Sequence, residues 1–278
     1  MRIAITGANG QLGTALQATL GCRHEIVALG HTELELGQPE CVARLVATGA
    51  ELVVHPAAYT NVDGCARDPE LAFRVNGLGT QYVALACRQL GAPLVYISTN
   101  EVFDGAGTAA YFEYDRANPI NSYGRSKSAG EQAVRELLDR FYIVRVAWLF
   151  GGARNFVRTV LRLAAERDTF GMVADEIGSP TYCPDVAERI GQLITQSAYG
   201  TYHFVNSGHC SRYEFAKEII RQAGRSDFAL RPIKLADLKA CIDRLYRCLR
   251  RRAMIGRLRP TTYNTYDRTR QLPGLARS

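Results

Sequence analysis

Ile3-Ala4-Ile5-Thr6-Gly7-Ala8-Asn9-Gly10-Gln11-Leu12-Gly13 decides how the chain is read. A short apolar run ends at Thr6, three glycines follow at GxxGxxG spacing, and the helical pattern Leu12–Leu20 begins at once. A strand that turns sharply into a helix needs a first residue free to turn. It needs a second that lets backbone approach a ligand and a third that lets helix and strand pack closely. Gly7, Gly10 and Gly13 stand at those three places. The helix N-terminus then presents unpaired N–H groups and a partial positive charge, a cradle for the pyrophosphate of a dinucleotide.

Outward from this turn, apolar strand candidates recur at Glu25–Leu29, Leu52–Val54, Leu94–Ser98 and Tyr142–Phe150. Helical patterns lie between them, including a long one over Pro69–Leu90. This alternation predicts an α/β protein, a Rossmann-like doubly wound parallel sheet with right-handed crossovers. After Phe150 the rhythm loosens: helices are expected over Phe156–Arg167, Pro184–Thr195 and Arg212–Ala223, with short strands in Gly171–Pro180 and Gly200–Gly208. Residues 1–150 are therefore read as the NAD(P)-binding domain. Residues 151–278 are read mostly as a small C-terminal substrate lobe, with room for the chain to return to the sheet.

Of the 278 residues 47% are hydrophobic, enough for a sizeable core. No apolar run approaches the ~20 residues that cross a bilayer. Met1-Arg2-Ile3 enters the first strand without a signal-peptide pattern, so a cytoplasmic protein with no membrane partner is expected. The eight cysteines form no CxxC pair and read as reduced thiols, with no metal site. The net charge of +7 is concentrated in residues 239–259, where Lys239, Arg244, Arg247, Arg250, Arg251, Arg252, Arg257 and Arg259 face Asp243 alone. Leu235–Arg251 reads as an amphipathic helix with Arg244, Arg247 and Arg251 on one face, either a solvated surface or a site for the phosphates of a ligand. The rest of the chain is neutral, so no nucleic-acid footprint is indicated.

Tyr123 and Lys127 form a YxxxK pair on a predicted helix, one turn apart and so on one face. A phenol ordinarily titrates near pH 10, and an adjacent ammonium is expected to stabilise the phenolate. Such a pair passes a proton to or from a carbonyl oxygen while a nicotinamide exchanges hydride. Ser98-Thr99 ends the fourth strand, at the sheet edge where ligands bind, and its hydroxyls can meet the same oxygen. The carboxylate that usually follows the second strand to hold an adenine ribose is missing from Ala28-Leu29-Gly30-His31. That leaves NADH and NADPH both open and leans to NADPH, with His31 beside the extra phosphate or merely on the surface.

With these residues assembled, the chain resembles the extended short-chain dehydrogenase/reductases, and among them the dTDP-4-dehydrorhamnose reductases. The matching text is Gly7–Gly13, Ala57-Ala58-Tyr59-Thr60 with Val62-Asp63, Val75-Asn76, and Ser98-Thr99-Asn100-Glu101-Val102-Phe103-Asp104-Gly105. It continues through Asn118-Pro119, Tyr123 to Glu131, Arg145 to Trp148, Gly178 to Thr181, Gly200 to Gly208 and Tyr213 to Ala216, about residues 1–225 in all. The resemblance implies a catalytic set of Thr99, Tyr123 and Lys127, and a cofactor site of Gly7, Gly10, Gln11, Leu12, Gly13, Ala57, Ala58, Tyr59, Tyr123 and Lys127. It implies a sugar nucleotide held by Thr99, Asn100 and Trp148, NADPH or NADH as cofactor, and reduction of a 4-keto group; a homodimer is open. His55 replaces the family's asparagine, Glu101 its aromatic substrate contact, and Ala15 a glutamate that serves magnesium in some members.

Two other functions fit the superfamily. Dehydratases read Thr-Asp-Glu where this chain has Thr99-Asn100-Glu101, and an amide cannot serve as the acid, whereas a nucleotide-sugar epimerase stays open. The other is a non-catalytic regulatory subunit of the methionine adenosyltransferase type, which the intact Tyr123/Lys127 pair gives no reason to prefer.

Overall fold

A computed structural model describes residues 1–237 except Thr108 and Arg154. The arginine-rich helix expected over 235–251 lies, from residue 238 on, outside the described residues.

The apolar runs of the first half become β1 (Arg2–Thr6), β2 (Glu25–Leu29), β3 (Leu52–His55), β4 (Leu94–Thr99) and β5 (Phe141–Val146). Between them run α1 (Gln11–Leu20), α2 (Glu40–Val46), α3 (Val62–Arg67), α4 (Pro69–Ala72), α5 (Gly79–Leu90) and α6 (Ser122–Leu137). The second half contributes β6 (Leu149–Phe150), α7 (Phe156–Glu166), β7 (Thr169–Val173), β8 (Ile177–Gly178), β9 (Thr181–Tyr182), α8 (Cys183–Leu193), β10 (Gly200–His203), β11 (Cys210–Ser211), α9 (Arg212–Gln222) and β12 (Ala229–Ile233).

The main sheet has the order β10-β5-β4-β3-β1-β2, every pair parallel. After β2 the chain crosses back over β1 to lay down β3, so the direction of growth reverses between β1 and β3, the place where such sheets bind ligands. The inner strands are buried on both faces, and their period of two divides the core. Ile3, Ile5, Leu52, Val54, Val95, Ile97 and Val144 meet Leu12 and Leu16 of α1 and Val186 and Ile190 of α8. Ala4, Val53, Leu94, Tyr96 and Ile143 meet Leu45 of α2, Val83 and Cys87 of α5 and Val134 of α6. Burying each Val, Leu or Ile stabilises by roughly 1.5–3 kcal/mol. Both α8 and β10 thus return from the second half to the sheet. A separate core joins α7, α9, β7 and β12 through Val160, Phe170, Phe215, Ile219 and Leu230.

Several elements depart from the sequence reading. The strand expected over Tyr142–Phe150 breaks after Val146, because Trp148 takes a left-handed conformation, φ +46°, and β6 leaves to pair with β9. The long helix expected over Pro69–Leu90 is interrupted by a π-helical turn, Phe73–Leu78. The helices α2 and α3 are additions; α3 is short and starts on Asn61, whose side chain accepts from Gly64 N–H.

A buried ion pair fastens α6 to the sheet. Glu131 accepts from Arg145 Nε and Nη2, both at 2.8 Å, and from the Ser98 hydroxyl at 2.6 Å. Arg145 and Glu131 are 2% and 1% exposed. Burial pushes the Glu131 carboxyl up, but hydrogen bonds and charge from Arg145 outweigh it and hold it below the ordinary range. The stability this confers is present above the unfolded carboxyl's pKa and lost as pH falls through the lower folded value. Glu131→Ala, which strands a buried guanidinium, should lower the unfolding free energy at neutral pH by about 3–5 kcal/mol in denaturant titration. The deficit should shrink in acid; a loss below about 1 kcal/mol would mean the pair is not what anchors α6.

Candidate active site

The glycine turn closes the reversal point of the sheet. Gly7 has φ +58°, and a Cβ there would stand 2.8 Å from the Ala57 Cα. A Cβ on Gly13 would stand 2.3 Å from the Gly7 carbonyl oxygen, so helix, turn and the exit of β3 touch backbone to backbone. Gly10 caps α1 without a side chain, which leaves the first-turn N–H groups at Gln11 and Leu12 to a ligand. The Gln11 Oε1 is buried and has no partner among the described residues. Ala57, Ala58 and Tyr59 follow the end of β3 directly across from the turn. This cradle of bare backbone and unused polar atoms fits the pyrophosphate of NAD(P)H. At the far end, the carboxylate expected to be missing after β2 arrives from three residues on: Glu33 accepts from Gly30 N–H at 2.9 Å and from the Thr32 hydroxyl at 2.7 Å. His31 is 88% exposed and pairs with Glu35 at 3.2 Å.

Across the same edge, α6 brings Tyr123 to Thr99. Asn121 caps the helix by accepting from Gly124 N–H at 2.7 Å, while its amide donates to Glu101 Oε2 at 2.7 Å. A Cβ on Gly124 would stand 2.0 Å from the Glu101 carbonyl oxygen, so the first turn of α6 presses onto the chain just after β4. Burial raises the Tyr123 phenol, the Glu101 charge raises it further, and the nearby Thr99 hydroxyl opposes the shift only in part. The downward shift expected beside Lys127 is not the net result: desolvation and the Glu101 carboxylate move the phenol upward. Burial pushes Lys127 down to about 7, against the opposing charge of Glu131. Its Nζ rests 4.1 Å from the centroid of the Tyr96 ring.

Behind these groups lies a polar frame to which the sequence reading gave no role. Asn76, in the π-helical turn, accepts from Tyr59 N–H at 2.7 Å and donates to Tyr59 O at 3.0 Å and to Ser126 Oγ at 2.9 Å. Ser126 in turn donates to the Tyr123 carbonyl at 2.7 Å. His55 lies between Thr6 and Thr80, at 2.6 and 3.2 Å. Burial, with the Lys127 charge adding to it, drives its pKa down to about 3, so the ring is neutral. Thr80 donates to the Asn76 carbonyl at 2.6 Å, so His55 Nε2 carries the proton and Nδ1 accepts from Thr6. The asparagine expected at position 55 is thus replaced by a ring that bridges β1 to α5.

At the substrate end, Asn100 Nδ2 and Trp148 Nε1 are buried without partners among the described residues. Val146 is the register partner of Thr99, which puts Trp148 two residues beyond the reacting edge. A Cβ on Gly178 would stand 2.4 Å from the Trp148 ring, so the indole lies against bare backbone.

Residues 1–248 match the family described as the RmlD substrate binding domain. The chain is 39% identical over 226 residues to the spore coat polysaccharide biosynthesis protein SpsK of Bacillus subtilis, covering 80% of each. It is 37% identical over 231 residues to a dTDP-4-dehydrorhamnose reductase of Burkholderia thailandensis, covering 79% of this chain and 78% of that one. The crystal structure of dTDP-4-dehydrorhamnose reductase from Bacillus anthracis in complex with NADP superposes with a TM-score of 0.85 at 39% identity, over 94% of this chain and 90% of that one.

Because the glycine turn is closed by backbone rather than by pliable side chains, Gly13→Val should abolish cofactor binding in a fluorescence titration with NADPH. Circular dichroism should still report a folded α/β protein, and unchanged affinity would show that the turn is structural only.

Proposed function

The chain belongs to the RmlD substrate binding domain family, and we propose that it reduces the 4-keto group of a nucleotide-linked deoxysugar with NADPH or NADH, a reaction of the dTDP-4-dehydrorhamnose to dTDP-L-rhamnose type. The observation that carries this reading is the meeting of Thr99, at the end of β4, with Tyr123, in the first turn of α6, at the edge of the sheet that also holds the glycine cradle.

When bound, the dihydronicotinamide supplies the hydride. Reduction needs an acid at the carbonyl oxygen, and a phenol whose proton is held by burial and by the Glu101 charge serves as that acid without ionising beforehand. Thr99, beside it, hydrogen-bonds the same oxygen and orients the carbonyl. Lys127, whose Nζ lies over the Tyr96 ring, is available to ribose hydroxyls of the cofactor, and its ammonium would stabilise the phenolate left on Tyr123 until that oxygen regains a proton from solvent. Asn100 Nδ2 and Trp148 Nε1 supply donors for the sugar and its linkage. Cys41, Cys65, Cys87 and Cys183 are free and buried, in keeping with a reducing cytoplasm. No helix among the described residues is long and apolar enough to cross a membrane. A homodimer completes the reading and is open to sizing by light scattering.

Tyr123→Phe keeps the ring and deletes the acid, so turnover of a dTDP-4-keto sugar should fall ~10²-fold or more with cofactor affinity retained. Near-normal turnover would remove Tyr123 from the chemistry.

Lys127 gives a second test. As pH rises through about 7, the ammonium is lost and the affinity of the free protein for NADPH should fall. Lys127→Met should lower that affinity and flatten its pH dependence; a wild-type profile that is already flat through neutral pH would place the lysine outside the cofactor site.

A further inference from the structure

Arg212 opens α9 with its guanidinium carbon 3.6 Å above the Trp148 ring centroid and 5.3 Å from that of Phe156. Glu176 holds it from two sides. The Arg212 Nε donates to Glu176 Oε1 at 3.1 Å, and the Arg212 backbone N–H donates to the Glu176 carbonyl at 3.3 Å. The arginine side chain is only 22% exposed, and its partner carboxylate 11%. That one contact uses the Nε edge of the fork. The Nη donors make no hydrogen bond among the described residues and stay available to a ligand.

Beneath the guanidinium, Trp148 is the sole non-glycine residue at positive φ among the described residues, and its Nε1 is buried and unmatched. A backbone conformation that disfavours bulky side chains is kept where the surrounding structure over-determines it. Here the ring is held against Gly178 on the sheet side and stacked on Arg212. Asn100, next after Thr99, Trp148, two residues past its register partner, and Arg212, stacked on Trp148, thus each carry a donor unused among the described residues.

We propose that Arg212, stacked on Trp148, forms the subsite for the diphosphate of the nucleotide-linked substrate. This rests on the sugar-nucleotide reading given above. A planar guanidinium matches phosphate oxygens in bidentate fashion. Glu176 blocks the Nε edge to an anion and so leaves the Nη edge as the one that receives it. The cofactor's pyrophosphate has its own proposed cradle in the amides of the first turn of α1, which does not include this arginine.

Trp148 is the only tryptophan in the chain, so binding at this place is read from intrinsic fluorescence without turnover. Calorimetry supplies an independent isotherm for each variant. The wild type should bind dTDP saturably and thymidine far more weakly. Arg212→Gln should weaken dTDP by ~10-fold or more, leave thymidine unchanged, and leave NADPH affinity and the thermal midpoint near wild type. Arg212→Lys, which keeps the charge but loses the fork, should fall between. If the Gln variant proves unstable, the Lys variant carries the test through its ratio of dTDP to thymidine affinity. An unchanged ratio in both variants overturns the diphosphate assignment while leaving the reductase reading intact. A wild type that binds no nucleoside diphosphate of any base overturns the sugar-nucleotide reading and this proposal with it.

Discussion

Glu131 of α6, buried against Arg145 of β5 and Ser98 of β4, is the contact on which the reacting groups depend. Ser98 precedes Thr99, and Glu131 stands one helical turn beyond Lys127. The same carboxylate therefore sets the distance between the strand that carries the hydroxyl and the helix that carries the acid. It also supplies the nearest negative charge to Lys127 and so opposes the desolvation that would otherwise strip that lysine of its proton. A pair of this kind is weak evidence for net stability, because desolvation offsets much of the attraction. What it does strongly is punish any arrangement in which either partner is displaced, and that makes the register of α6 on the sheet unique.

A second frame ties the cofactor side to the catalytic side. Thr6 ends β1, His55 ends β3, Thr80 sits in α5, Asn76 in the turn before it, and Ser126 between Tyr123 and Lys127; hydrogen bonds connect them in that order. Thr6 immediately precedes the glycine turn, and Ser126 holds the carbonyl of Tyr123, the proposed acid. A neutral histidine suits this position, since it both donates and accepts, and its low pKa keeps it from becoming a second cation beside Lys127.

The architecture was legible wherever the chain states it locally. The glycine spacing, the period of apolar runs and the YxxxK interval each describe a few neighbouring residues, and the sheet order and the meeting of Thr99 with Tyr123 follow them. The break at Trp148 was hidden because Ala147 and Trp148 are as apolar as a strand interior, and only the backbone angle reveals the turn. Asn76 and Glu131 were hidden for another reason. Their partners lie 14 to 50 residues away, and a single polar residue in a helical pattern does not announce a distant mate. Ser98, read with Thr99 as a source of a hydroxyl for the substrate, donates to Glu131 instead. Glu33 shows the same limit at short range: it was passed over because a carboxylate was sought at the strand end rather than folding back to it. The direction of the phenol shift was misjudged because proximity to an ammonium was weighed and burial was not.

The π-helical turn at Phe73–Leu78 changes the phase of the long helical segment that contains it. An extra residue in one turn rotates everything after it by about 100° relative to a regular helix. Within the turn, the segment presses on α6: a Cβ on Gly77 would stand 3.4 Å from the Ala129 Cβ. After it, α5 stays packed on α6 and also meets α2 and the loop ahead of it, where a Cβ on Gly79 would stand 3.1 Å from the Leu36 Cβ and the Gly37 nitrogen. The irregular turn works as a coupling between two shafts set at different angles, and Asn76 is mounted on the coupling itself. Deleting a single residue from Phe73–Leu78 would turn α5 by about 100° against the segment before it and carry Gly79 away from Leu36 and Gly37.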